Sequence, residues 1–316
     1  MPAPLMIIAE EAESLARHLA AVLPGERYLT VLNGSDLEPA LAQGPEALLA
    51  IRTEAIDHAV YRAALEAPSL RFLQVGGSGY EWLGGWDHER LRVCNAAGVL
   101  APYLAETVIG AMIALNNHLV HYHGLQLQRQ WAPQPFRPLA GQRLLIVGAG
   151  AVGSATAMRA QALGMHVTGL SRQGAMLDGF DEMTEIAAID DVLPQADVVS
   201  NHLRLTPQTR GIFDAARFAK MKPGALFLNS ARGGHVDETA LLAALESGRL
   251  SGAWLDVFET EPLPADSPLW SAPNLLVTPH ASDMVDGWYL RFADLFAENL
   301  GRYWRGEAMI NPILPN

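Results

Sequence analysis

Residues 144–174 read LLIVGAGAVGSATAMRAQALGMHVTGLSRQG. The apolar run Leu144–Val147 predicts a buried strand. Gly148, Gly150 and Gly153 follow at once in G-x-G-x-x-G spacing, and a helical pattern opens within it. The first glycine permits a tight turn, the second lets backbone approach a pyrophosphate, and the third brings helix and strand together. Free N–H groups at the helix start, those of Ala151 and Val152 among them, then face the anion. A second apolar run, His166–Leu170, arrives where the next strand is due. A plain structural turn is the competing reading. The order strand, glycine loop, helix, strand favours a dinucleotide-binding unit in a doubly wound parallel sheet.

The end of that second strand carries Ser171, Arg172 and Gln173. An acidic residue about 20 positions past the loop would read the ribose hydroxyls of NAD and repel a 2′-phosphate. Ser171 can instead donate to phosphate, and Arg172 can pair with it through a charged fork. The site is therefore expected to prefer NADP, against the alternative of an exposed arginine over a relaxed NAD site. Arg204, just past a later strand, is a candidate for a second positive charge or an ordinary solvated arginine.

Outward from this stretch, the 316-residue chain alternates short apolar runs with helical patterns, the rhythm of an α/β protein of two domains. Strands are expected at Leu5–Ala9, Tyr28–Leu32, Ala47–Ile51 and Leu70–Val75, with a helix over Glu11–Val22. A long amphipathic helix is expected over Pro102–Gln130, then a proline-broken linker, WAPQPFRP (131–138). Further strands are expected at Val198–Asn201, Ala225–Asn229, Gly252–Asp256 and Leu275–Thr278. A last helical pattern runs from past Asp283 to about Tyr303, and the tail NPILPN is expected to pack as coil. The formal charge of −12 argues against nucleic-acid or anionic-membrane partners, which need a basic footprint. Cys94 stands alone, which excludes an intrachain disulfide and fits a reducing cytoplasm. The N-terminus lacks a basic flank and reads as a first buried strand rather than a signal peptide, and no apolar run is long enough to span a membrane. His118, His121 and His123 lie close together without a cysteine, so no metal site is proposed.

Three stretches carry candidate chemistry. Arg232 follows a strand in LFLNSARGGHVDETALLAAL, Asp256, Glu259 and Glu261 lie in GAWLDVFETEPLPADSPLW, and His280 follows a strand in LLVTPHAS. Ligands bind at the carboxyl ends of strands in open sheets, which puts Arg232 and His280 on the active edge. An arginine can grip a carboxylate, a histidine can pass a proton near neutral pH, and a glutamate on its far nitrogen would fix the tautomer. Each alone is more often structural. Together, beside a dinucleotide loop, they suit hydride transfer to a carbonyl next to a carboxylate.

With these residues in place, the block from Pro102 to about Pro312 resembles the D-isomer-specific 2-hydroxyacid dehydrogenase family. The motifs that carry the resemblance are APYLAETVIG, VGAGAVG, RLTPQTRGIFDAARFAKMKPGALFLNSARGGHVDETAL, LDVFETEPLP and PNLLVTPHAS. It implies two Rossmann-like lobes, a flavodoxin-like substrate domain (1–100 and 284–316) and a doubly wound dinucleotide-binding domain (101–283), with a cleft between them. It maps the family's catalytic arginine, glutamate and histidine onto Arg232, Glu261 and His280. Thr107 should touch the pyrophosphate and Asp256 the nicotinamide amide. Leu203, Thr209 and Ala231 join the expected cofactor contacts.

The first hundred residues resemble the family more loosely. Its carboxylate-binding glycine turn maps onto QVGGSGYEWLG, with Gly77, Ser78 and Gly79 as candidates against a plain strand-to-helix loop. Here Gly79-Tyr80-Glu81 replaces the family's G-x-D, and Trp82 and Trp86 follow, which leaves the substrate open. Arg52, after the third strand, is a further substrate candidate or a surface arginine. The implied reaction is NADPH-dependent reduction of a small anionic 2-keto acid, glyoxylate or hydroxypyruvate first, to the D-2-hydroxy acid. The SRQ sequence is similar to that of NADP-linked glyoxylate/hydroxypyruvate reductases. A bulkier keto acid such as phenylpyruvate, and a non-catalytic nucleotide-gated binding module, are the alternatives. A homodimer is expected by the same resemblance, with the Pro102–Gln130 region as its contact.

Overall fold

The structure, a computed structural model, describes residues 3–314, Glu81 by its backbone only. The chain forms two compact units, Met1–Leu100 with Val285–Asn316, and Ala101–Met284. In the first unit the strands are β1 (Leu5–Ile8), β2 (Tyr28–Val31), β3 (Ala47–Ala50), β4 (Phe72–Val75) and β5 (Arg92–Cys94). They run parallel in the order β2-β1-β3-β4-β5. β1, β3 and β4 are buried at every residue, as strands covered by helices on both faces must be. The last helix, Trp288–Arg305, returns to pack on the helix Ala12–Val22, and Phe72 stacks against Phe296 and Tyr303 with ring centres 5.8 Å from each. One polar pair lies inside this core: Asn299 Nδ2 donates to Gln74 Oε1 at 2.9 Å, and both residues are fully buried.

The tail departs from the expected coil. Ile310 N–H donates to Asn299 Oδ1, Pro312 forms an antiparallel bridge with Cys94, and Ile313 N–H donates to the Val93 carbonyl. The tail thus covers the open edge of β5, where unpaired backbone groups would otherwise remain. The last two residues of NPILPN lie outside the described residues.

The second unit holds β6 (Arg143–Val147), β7 (His166–Ser171), β8 (Glu182–Glu185), β9 (Val198–Asn201), β10 (Ala225–Asn229), β11 (Leu250–Leu255) and β12 (Leu275–Val277). All pair in parallel, in the order β12-β11-β10-β9-β6-β7-β8. Strand order reverses between β6 and β9, and a crevice at the carboxyl ends opens at such a reversal. β5 and β8 went unpredicted for plain reasons. β5 has three residues and β8 reads EMTE, so neither shows an apolar run.

The expected helix over Pro102–Gln130 is two helices, Ala101–Asn116 and Leu119–Leu127, broken at His118, whose φ is +59°. Asn116 explains the stop. Its amide donates to the carbonyl of Arg137 and accepts from Gln142 Nε2, so its side chain ties down the 131–138 linker. Among the described residues no helix is long and apolar enough to cross a membrane.

At the opposite end of β9 from the carboxyl edge, Asp197 gathers Lys222 Nζ at 2.6 Å, Arg137 Nη2 at 2.7 Å and the Arg143 N–H at 2.8 Å. Burial opposes its charge, but these donors outweigh burial and hold the carboxyl below its ordinary range. A depressed folded value stabilises the fold above the unfolded carboxyl pKa, and that contribution disappears as pH falls through the folded value. Asp197→Asn is expected to lower stability at pH 7 by about 1–2 kcal/mol. The gap from the parent should close below about pH 4. Thermal unfolding across that pH range checks this, and a gap that persists at low pH contradicts it.

Candidate active site

The glycine loop sits at the reversal of strand order. Gly148 has φ +106°, and a Cβ there would come within 2.7 Å of the His202 backbone just past β9. A Cβ at Gly153 would overlap the Gly148 carbonyl oxygen, so the helix Ala151–Ala162 approaches β6 only because both residues are glycine. Gly150 differs: nothing lies within 4 Å of its Cβ position. The helix has no side-chain N-cap, and the N–H groups of Ala151, Val152 and Gly153 donate to no acceptor among the described residues. Open space against three unsatisfied donors on a twelve-residue helix fits a pyrophosphate. Behind the loop, burial pushes His202 down to about 4, and its Nε2 meets Ser200 Oγ at 2.8 Å, so it is a neutral packing group at pH 7.

Ser171 ends β7. Its Oγ accepts the Gly174 N–H at 3.0 Å and keeps its own proton to donate. Arg172 is exposed and forms no ion pair with the described residues, and Gln173 is exposed beside it. Thr107 Oγ1 lies 3.4 Å from the Ser282 carbonyl, beside the loop that carries His280. Leu203 N–H donates to Asn201 Oδ1, and the Thr209 hydroxyl donates to the Arg204 carbonyl at 2.8 Å.

Arg232 stands on a built turn. Asn201, the last residue of β9, donates through Nδ2 to Asn229 Oδ1 and His235 Nδ1, each at 3.0 Å. Asn229, the last residue of β10, donates to the Arg232 carbonyl at 3.1 Å and accepts from the Ala231 N–H. All three polar residues are fully buried, and burial keeps His235 below its ordinary pKa and therefore neutral. Gly233 closes the turn, since a Cβ there would overlap the Phe258 and Glu259 backbone. None of Asn201, Asn229 and His235 was singled out from the sequence. The available signal was a polar residue ending an apolar strand run, as in DVVSN and ALFLN.

His280 stands on a second turn. Its φ of +51° lies in the left-handed region, which costs a non-glycine residue about 1–2 kcal/mol. Asp256, at the end of β11 and sealed from solvent, supplies the offset. Its carbonyl accepts the His280 N–H at 2.8 Å, and its carboxylate accepts Thr278 Oγ1 at 2.5 Å, Ala281 N–H at 2.9 Å and Ser282 N–H at 3.1 Å. A hydrogen bond to a charged group contributes about 1.5–3 kcal/mol, so this set outweighs the strain. Trp254 Nε1 in turn donates to Thr278 Oγ1. Asp256, which the resemblance maps to the nicotinamide amide, is held by the 278–282 loop through its carboxylate.

His280 Nδ1 meets Glu261 Oε2 at 2.7 Å, and Glu261 Oε1 accepts the Phe258 N–H. Burial works against the Glu261 charge, but the His280 and Phe258 hydrogen bonds and the charges of His280 and Arg232 prevail, so its carboxyl lies below the ordinary range. Glu261 is an anion at neutral pH, and its bond to Nδ1 leaves Nε2 of His280 outside that pair. Arg232, Glu261 and His280 line one cavity of about 230 Å³ with Arg210 and Phe258. Arg210, absent from the expected set, is paired to Glu259 at 3.1 Å.

In the first unit, partly buried Gly77 and exposed Ser78 and Gly79 form a turn after β4, and Arg52 is exposed just past β3. Trp82 packs edge-on against buried Tyr61, while Trp288 packs against Phe292. No group of three or more His, Cys, Asp or Glu among the described residues is placed to hold a metal.

The profile of the D-isomer specific 2-hydroxyacid dehydrogenase NAD binding domain matches residues 109–282. The glyoxylate reductase of Korarchaeum cryptofilum is 33% identical over 281 residues, 86% of this chain and 82% of that protein. A D-isomer specific 2-hydroxyacid dehydrogenase family protein from Aeromonas salmonicida superposes with a TM-score of 0.82 at 34% identity over 99% of both chains. The NADPH-dependent glyoxylate/hydroxypyruvate reductase of Sinorhizobium meliloti, solved with NADP and sulfate, gives 0.78 at 26% identity over 99% of this chain and 98% of that one. In sequence and in fold alike, the chain belongs to the D-isomer specific 2-hydroxyacid dehydrogenase family of oxidoreductases.

Proposed function

We propose that this protein reduces a small 2-keto acid with NADPH, glyoxylate to its achiral 2-hydroxy acid or hydroxypyruvate to the D-2-hydroxy acid. The observation that carries the reading is the 2.7 Å His280–Glu261 pair sharing a cavity with Arg232. A nicotinamide nucleotide held at the glycine loop supplies the hydride. His280, as imidazolium, gives its Nε2 proton to the alkoxide that develops at C2, and one hydride and one proton together complete the alcohol. Glu261 stabilises the imidazolium and fixes the ring. Arg232 holds the substrate carboxylate in the orientation that aligns the carbonyl, and the Gly77–Gly79 amides, within the first unit, are read by themselves as a carboxylate-binding element. The pairing of Ser171 with an unengaged Arg172 favours a 2′-phosphate over a bare ribose, and the S. meliloti relative with that dependence supports it.

We further propose that the chain self-associates through Leu119–Leu127 and the segment after it. That helix buries none of its residues, although it reads LVHYHGLQL, and Leu127 and Trp131 are 74% and 96% exposed. Such apolar surface on one segment is expected to be covered by a second copy.

A panel of keto acids run with NADPH and NADH tests the reaction. Glyoxylate or hydroxypyruvate should be reduced with NADPH, and His280→Ala should lower the rate about 10²–10⁴-fold while NADPH binding persists. Tight NADPH binding with no turnover of any keto acid would favour the binding-module alternative. In the same assay Arg172→Asp should weaken NADPH at least about tenfold more than NADH. Equal losses would mean that Arg172 does not read the phosphate. For self-association, sedimentation of the parent should give a dimer and Trp131→Asp a shift toward monomer; a monomeric parent refutes the interface.

A further inference from the structure

We propose that Asn95 is a positioning residue for the substrate carboxylate, acting through the backbone of the Gly77–Gly79 turn. The inference rests on reading that turn as a carboxylate-binding element, and it concerns how the turn is kept in shape. Gly77 has φ +139°, Ser78 and Gly79 are exposed, and a peptide between two such glycines rotates at little steric cost. Something must stop it.

Two contacts from the chain just past β5 do so. Ala96 N–H donates to the Gly77 carbonyl at 2.7 Å, and Asn95 Nδ2 donates to the Ser78 carbonyl at 2.9 Å. In a trans peptide the N–H points opposite to the C=O. Drawing both carbonyls toward residues 95–96 therefore turns the N–H groups of Ser78 and Gly79 the other way. Neither N–H donates to any acceptor among the described residues. Trp82 Nε1 adds a third clamp on the Gly79 carbonyl at 3.2 Å.

Asn95 is itself held. Its Oδ1 accepts the Ala97 N–H at 3.2 Å, its own N–H donates to the Asn311 carbonyl, and Asn311 Nδ2 donates to the Ala97 carbonyl. The two ends of the Asn95 amide thus do different work. Oδ1 secures the local chain, and Nδ2 aims a substrate-binding peptide. Donors fixed before the ligand arrives bind an anion more strongly than donors that must first be ordered.

The two roles separate by substitution. Asn95→Asp keeps an acceptor for Ala97 and replaces the Ser78 donor with a repelling oxygen, whereas Asn95→Ala removes both bonds without adding charge. The measurement is calorimetric titration of oxalate, an unreactive keto-acid analogue, into each protein saturated with NADPH, alongside NADPH titration of the free proteins. Both variants are expected to weaken oxalate about tenfold, the order of one charge-assisted hydrogen bond, with NADPH affinity unchanged. Unchanged oxalate binding in Asn95→Asp overturns the proposal. So does a loss confined to Asn95→Asp, which is a charge effect, or one confined to Asn95→Ala, which is a folding effect. A parent protein that binds no oxalate overturns it as well. A parent that binds oxalate yet reduces no keto acid instead refutes the reductase reading and leaves the positioning role standing if both variants weaken oxalate.

Discussion

The carboxylate of Asp256 is the interaction on which the placement of the His280–Glu261 pair depends. It lies at the carboxyl end of β11, sealed from solvent, and accepts from Thr278, Ala281 and Ser282 while its carbonyl takes the His280 N–H. A buried carboxylate without partners is costly, and a histidine in the left-handed region is strained. Each problem is the solution of the other. The loop satisfies the anion, and the anion holds the loop in the shape that puts His280 Nδ1 on Glu261.

The Arg232 turn repeats that logic with neutral groups. Asn201 and Asn229 end adjacent strands, join through their amides and reach the Arg232 carbonyl. Neutral His235 completes the set, so an always-charged guanidinium is displayed from a support that does not titrate near pH 7. Both turns hang from carboxyl ends of strands in one parallel sheet. Their mutual placement is therefore as rigid as the sheet, and proximity effects in catalysis require that rigidity.

The two candidate anion sites, the glycine loop and the Gly77–Gly79 turn, both present backbone N–H groups whose carbonyl or helical partners are fixed elsewhere. At the glycine loop the fixing agent is the helix Ala151–Ala162, whose first donors have nothing to bind within the chain. At the Gly77–Gly79 turn it is a pair of contacts from residues 95 and 96. Glycine makes close approach possible in both places and supplies no rigidity of its own, so the surrounding structure must provide it.

Much of this was legible in the linear chain. Fully buried parallel strands announce themselves as apolar runs, so most strands, the glycine loop and the stretches around Arg232, Glu261 and His280 could be marked from residues 5 to 280 with boundaries within about two positions. Strand β8, reading EMTE, carries no such pattern, and a helix break at His118 depends on what Asn116 reaches across the linker. Local sequence determined the order of elements and the residue types at the active edge, because periodicity and glycine spacing are properties of neighbours along the chain. Only the tertiary structure decided that strand order reverses between β6 and β9, that Asp256 serves the His280 loop, and that Asn95 reaches Ser78. Those are contacts between groups far apart in sequence, and their energies exist only once the intervening chain has packed.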